Sequence, residues 1–587
     1  MSFAGRFATP RSKREYNQLD DLRNLAQELA GDIPFSPGTT RQSALATMLR
    51  ILNSKTNPAF ASLMSDPPPG ILDYDSDIVG LIVASFSVFA ISCMASEVPQ
   101  NHVLAAPVRA LWPHTIKWAA VLHPARRRVR YSSDGAADPG RKVLIGVIVQ
   151  IYLNIVHSEP AHVKPFLHDS PDAVAQALEL WLRFPKYIAQ SDPDAANWAH
   201  SLGLSVADLY ELLIDPEGSP TAEDRTLFLD SLRATIGTER TLQRAVYLQT
   251  DFLRGCAMPV SLSHGEVWRE HFRILLRLIC LPEFWPAKVP RKAITSVVSA
   301  AQHCIAQPET QKAAFSAVRL VAGLCCITGS NRPLVRAVDA GIFEVMYRLG
   351  HSSENFDLSD FVQHMCAGLV QPRLIRAFRR RGRLPPSARK GPRPPKATWH
   401  DVVSAYEKYS DLYSTSKGTG GWRRFMQCQN DMGPHDQTVR ICPCGRVYYC
   451  SGSCQRMHWR AMHREECLED DGPWNLKGAV SLSDVVFVSD IVSWHISDFR
   501  QTIAKQIARL SLGLDRRTGE VKQAVIVVDL TDLVGPQLRH EVSVRSLPAS
   551  VGLVLGSVVA VELVMRLGNI REQHALPCMM PLYYFGL

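Results

Sequence analysis

Six cysteines and three histidines crowd into the forty residues from Cys428 to Cys467, while the other eight cysteines are spread over the rest of the 587-residue chain. The stretch places Cys428, Cys442, Cys444, Cys450, Cys454 and Cys467 around His435, His458 and His463. Thiolate is a soft ligand and imidazole a borderline one, so this donor set suits zinc and disfavours magnesium or calcium. The pairs Cys450-x3-Cys454 and His463-x3-Cys467 predict two donors one helical turn apart, facing one ion. Cys442-Pro-Cys444 predicts a tighter knuckle. Few large apolar residues lie in the stretch, so metal must supply most of its folding free energy. A hydrolytic zinc needs an open ligand position and a base. No carboxylate is placed as that base, which favours a closed, structural site.

The run Cys444-Gly-Arg-Val-Tyr-Tyr-Cys450, then Ser451-Gly-Ser-Cys454-Gln455, then Trp459, His463 and Cys467, resembles the MYND-type zinc finger. The resemblance covers about forty residues. It implies two interleaved zinc sites. Cys442, Cys444, His463 and Cys467 would form one, and Cys428, Cys450 and Cys454 would form the other. The chain departs from the family at three places. The second cysteine of the first pair is absent: Asp431 stands at its spacing, and His435, nearby, is the better zinc ligand. The second pair has one intervening residue instead of two. Trp459 and His463 are separated by three residues where two are usual. Trp459 is expected to anchor the small core of the finger, and His458 to lie on its surface. The resemblance further implies protein partners, some carrying proline-containing peptides. It also raises the lysine methyltransferases that hold such a finger, although the stretch after Cys467 lacks the Asn-His-x-Cys signature they need.

The elements that must carry this stretch are read from pattern. Residues 1–370 are expected to form an irregular α-solenoid of amphipathic helices. Leu22, Leu25, Ala26 and Leu29 recur with helical period before Gly31. Ser170 with Pro171, and Ser263 with Glu266, mark two further helix starts. Asn331 to Gly350 resembles an armadillo-type unit, with Ala340-Gly341 as its turn. No strand pattern is evident before residue 480. Residues 371–398 hold ten basic residues, no acid and several prolines, and read as a linker. Residues 399–425 predict a helix and a glycine hinge, and 426–470 the finger. Residues 475–587 predict a small α/β or α+β domain, with strands at 484–488, 524–529, 542–545 and 558–567. A strand-end turn is expected at Asp529 to Asp532. The expected fold class is therefore multidomain and mainly α, with a zinc finger and a small mixed domain.

The net charge of +9 arises from the 371–398 stretch, which leaves the remainder near neutral. Global charge thus gives no argument for nucleic-acid binding. Ile78 to Ser96 is uncharged and close to the length of a membrane span; its serines favour a buried helix. The N-terminal residues read as a basic tail, and no secretory signal is evident. The thiol-rich motif leads to the expectation of an intracellular location, in nucleus or cytoplasm. No cofactor fingerprint or catalytic constellation is found. The function expected from the sequence is a non-enzymatic, zinc-binding interaction adaptor.

Overall fold

The computed structural model describes residues 9–54, 57–131, 138–237, 239–259, 262–382, 398–419, 428, 430, 440–442, 447–467, 480, 482–510, 513–514, 521–534, 539–548, 558–568 and 570–581. The chain divides into two compact units, Met1–Leu278 and Ile279–Leu587. Helices dominate both, and a five-stranded sheet lies near the C-terminus. The mainly α, multidomain class is what the chain adopts.

The first unit is built on the helix Asp77–Glu97, whose Val79, Ile82, Phe86 and Phe89 are fully buried. It packs against the helices Pro10–Ala30 and Pro139–Val156. Thr9 caps the first of these and Gly31 ends it in the left-handed region. Arg11, Lys13 and Arg14 therefore belong to a helix and not to a tail. Asp77–Glu97 and Pro139–Val156 are both long and apolar enough to cross a membrane, and most of each one's apolar window is buried within the unit. Serines inside the first are satisfied locally, as when Ser92 Oγ donates to the Val88 carbonyl at 2.8 Å. One start is displaced from expectation. Ser170 ends the helix Pro160–Asp169, and Pro171 caps Asp172–Arg183. The two helices are nearly continuous, so the local cap signal marks their junction. Short parallel pairing joins Leu72–Asp73 to Val129–Arg130. Two-residue strands carry no readable period, so the sequence pattern predicts none there.

In the second unit, Arg332–Ala340 and Ile342–Leu349 turn at Gly341, which has φ of 103°. Leu334, Val338, Ile342, Val345, Met346 and Leu349 are buried, while Val335 is half-buried. The expected linker is helical at its start: Pro372–Arg380 buries Leu374, Ile375 and Phe378. Its arginines are in use. Arg379 donates to Ser410 and Ser414, and Arg380 forms a bidentate pair with Asp339. The helix Trp399–Thr419 follows and runs through part of the expected glycine hinge.

The expected strand at 484–488 is instead part of the helix Leu482–Asp498. Val485, Val488, Val492 and Ile496 are buried along one face of it. Five β-branched-rich residues fit either period, and burial on a helical face outweighs intrinsic strand preference. The other three strand expectations fall within real strands. Val521–Val534 pairs antiparallel with Arg539–Pro548 and parallel with Val558–Leu567, which pairs antiparallel with Ile570–Pro581. Asp529 to Asp532 forms no strand end. It is an irregularity inside the strand, where Asp529 Oδ1 accepts from Thr531 N at 2.8 Å and from Thr531 Oγ1 at 2.6 Å. The helix Ser359–Gly368 packs on the sheet.

That helix holds His364, only 2% exposed, with neither ring nitrogen hydrogen-bonded among the described residues. Burial first, and the positive Arg566 second, lower its pKa to about 3. His271 in the first unit is also lowered to about 3, by burial. Both rings are neutral in the folded chain, whereas an unfolded histidine titrates near ~6.5. Below that pH the unfolded chain takes up a proton that the fold refuses. Stability is therefore lost as pH falls from about 6.5 toward 3, by roughly 2 kcal/mol per buried ring at about pH 5. His364→Leu is expected to leave stability at neutral pH unchanged or slightly higher, because among the described residues the ring's polar atoms have no partners to lose. The same substitution should flatten the acid side of the denaturation-midpoint profile by about one proton. An unchanged acid slope would show that His364 is not held neutral.

Candidate metal centre

The finger is built from very short elements. A hairpin pairs Arg440–Ile441 with Tyr448–Tyr449. Helix Gly452–His458 follows, then a π-helical turn at Trp459–His463 and the short helix Arg464–Cys467. Ser451 caps the first helix, its Oγ accepting from Cys454 N at 3.1 Å. Cys450 thus sits just before the helix and Cys454 in its first turn. The two sulfurs lie 3.4 Å apart, brought together by the cap and not by a full helical turn.

Two donor groups emerge. The sulfurs of Cys428, Cys450 and Cys454 all lie within 4.8 Å of one another. Separately, His463 Nε2 lies 3.2 Å from Cys442 Sγ, and both residues are buried. Thiolates on a tetrahedral zinc, each at about 2.3 Å, stand about 3.8 Å apart. The observed spacing and burial fit such an ion. Cys428, Cys450 and Cys454 would hold one zinc, and Cys442 with His463 would contribute to a second. Asp431, His435 and Cys444 lie outside the described residues, as does the side chain of Cys467. Zinc here would supply cross-linking of otherwise short elements.

Sequence reasoning missed Asn430. It is 5% exposed, and its hydrogen bond is the main cause that lowers the Cys454 thiol to about 7, with a hydrogen bond involving Ser451 second. That favours the thiolate, the form that binds metal. The available signal was its place two residues after Cys428, but nothing in a lone asparagine distinguishes this role from a turn residue.

The aromatic roles also differ from expectation. The buried core comprises Cys442, Val447, Tyr449, Cys450 and Cys454, so Tyr449 is its aromatic anchor. Trp459 is half-buried and meets the His463 ring edge-on at 5.8 Å. His458 is no simple surface residue. Its Nδ1 lies 2.8 Å from Tyr449 Oη, and its ring stacks 5.8 Å from that of His463. The π-turn at Trp459–His463 coincides with the extra residue between these two positions. Such a turn absorbs a one-residue insertion inside a helix.

In a comparison with protein families, residues 426–467 fit the family described as MYND finger. Comparison with curated proteins and with solved structures finds no match. The matched interval includes every donor group described above. Residues 426–467 are a MYND finger, a zinc-binding module of protein–protein interaction.

Proposed function

We propose that the protein is a non-enzymatic adaptor that uses its finger to hold partner proteins, including segments that contain proline. The observation that carries this reading is the finger itself: a largely buried donor set with apolar side chains displayed outside it. Met457 is 44% exposed and Met462 60% exposed, flanking the half-buried Trp459. Flexible, polarizable methionines suit surfaces that accept varied peptides. The non-enzymatic part rests on the sequence, where neither a cofactor fingerprint nor a methyltransferase signature follows Cys467. Two arginines of the basic stretch are already engaged with Ser410, Ser414 and Asp339, which supports protein over nucleic acid as the partner class.

The test is binding to an array of proline-containing peptides. Met457→Asp with Met462→Asp is expected to keep zinc bound and to weaken capture by about tenfold or more, as loss of a hydrophobic contact patch does. Capture that survives both this variant and Cys450→Ser with Cys454→Ser would rule out the finger as the binding module.

A further inference from the structure

A groove of about 870 Å³ lies within the first unit, lined by the helices Pro139–Val156, Pro160–Asp169, Ala195–Leu213 and His264–Ile279 and the residues that follow them. Its size falls in the range of ligand clefts and suits a few residues of extended chain better than a folded domain. Val156, Pro160, Pro165 and Leu212 form the apolar part of its wall. Asp208, Glu211 and Asp215 recur at i, i+3 and i+7 along another wall, and Glu217 follows them.

The charges in this groove do not balance. Arg273 meets Glu211 at 3.1 Å and Glu270 at 2.6 Å. Arg277 meets Glu211 at 2.6 Å and Asp215 at 3.5 Å. Within the lining the two guanidinium groups thus face Glu211 and Asp215, while Glu270 lies outside it and is shared with Arg269 at 3.6 Å. The lining as a whole holds the four carboxylates Asp208, Glu211, Asp215 and Glu217 against Arg273, Arg277 and Lys164. Lys164, also in the lining, lies 3.4 Å from the buried Asp224, which His168 approaches as well. Asp208 has the His157 ring at 3.2 Å, and no Lys or Arg ion pair among the described residues. Glu217 likewise has no ion pair among them. Burial raises the Asp208 carboxyl above the usual carboxylate range. Besides the His157 ring, Arg273 attracts and Glu211 repels the Asp208 charge, and a partly desolvated carboxylate so placed gains from an incoming cation. An anionic ligand would instead have to displace Glu211 from both arginines and then face the remaining acids.

We propose that this groove binds a basic, extended segment of a partner protein. Its Arg or Lys side chains reach Asp208 and Glu217, and its apolar or proline residues lie against Val156, Pro160, Pro165 and Leu212. The groove shares no residue with the finger, so the two readings stand or fall independently.

The probe is a fluorescein-labelled peptide of alternating arginine and proline, titrated into the full chain. Asp208→Lys with Glu217→Lys is expected to weaken binding about tenfold and to make it less salt-dependent, since two attractions become repulsions. If that variant loses helical circular dichroism, Asp208→Asn with Glu217→Gln replaces it, with an expected loss of about threefold. Cys450→Ser with Cys454→Ser should leave the affinity unchanged, which separates this site from the finger. Equal affinity of wild-type and charge-altered chains would overturn the proposal, as would equal binding of a glutamate–proline peptide. Light scattering that shows a dimer broken by the charge reversal, with no competition from the peptide, would assign the groove to a second copy and overturn it too.

Discussion

Cys454→Ser is expected to release at least one zinc per chain and to unfold the finger, while the helical units keep their circular dichroism. Cys454 is fully buried and belongs to the group of three sulfurs within 4.8 Å of one another. Three of the five described residues in the finger's buried core are cysteines. Without metal, that core offers, among the described residues, only Val447 and Tyr449 as sizeable apolar groups, far too little to offset the ordering of two-residue strands and short helices. Structural zinc contributes on the order of 10–16 kcal/mol in small fingers, so losing a ligand removes the dominant stabilising interaction. Zinc per chain, measured by elemental analysis, should fall. Protease cleavage within 426–467 should rise by at least tenfold, as expected for a locally unfolded segment. Full zinc content and unchanged protease resistance would show that Cys454 is not a ligand.

Gly568→Val is expected to be among the most destabilising single changes in the second unit, at roughly 4 kcal/mol. Gly568 has φ of 61°, a conformation that costs a side-chain-bearing residue about 1–2 kcal/mol. A Cβ there would stand 1.7 Å from the Thr328 carbonyl oxygen and 2.9 Å from its carbon. Both are backbone atoms and cannot rotate away. The same spot is clamped by Asn331, which accepts from Gly568 N at 2.9 Å and donates to the Arg566 carbonyl at 3.1 Å. The substitution must therefore push the end of the Val558–Leu567 strand off the loop that follows helix Gln311–Cys326. Gly382→Ala provides the comparison. Its φ is 92°, yet among the described residues a Cβ there meets nothing within 4 Å, so only conformational strain of about 1 kcal/mol is expected. Denaturation midpoints of the two variants decide the matter. Equal losses would mean that the sheet does not press on Thr328 as described.

The donor cluster is legible in the sequence because cysteine and histidine crowded at ligand spacing seldom serve anything but a metal. The helices of the first unit are legible where a sustained apolar period meets a strong stop, as at Leu22 to Gly31. What escapes the sequence shares one physical cause: the deciding interaction lies outside the local window of residues. Asp484 to Val488 looks extended until the burial of Val492 and Ile496 extends the pattern through two more turns. Asn430 acquires its role only when the chain folds it against Cys454, twenty-four positions away. Tyr449 outranks Trp459 in the core because the hairpin turns it inward, which composition cannot reveal. The arginines at 379 and 380 look available in sequence, yet partners from distant helices occupy them.

The π-turn at Trp459–His463 bears on how this finger tolerates change. One wide turn takes up the additional residue locally, so the His463 ring still reaches Cys442 while the helix before it keeps its own cap at Ser451. Distance along the chain and distance around the ion are thereby decoupled at this point. Length changes in the finger can be absorbed between donors without redrawing the donor set, whereas an equal insertion between Cys450 and Cys454 would break the cap that holds their sulfurs together.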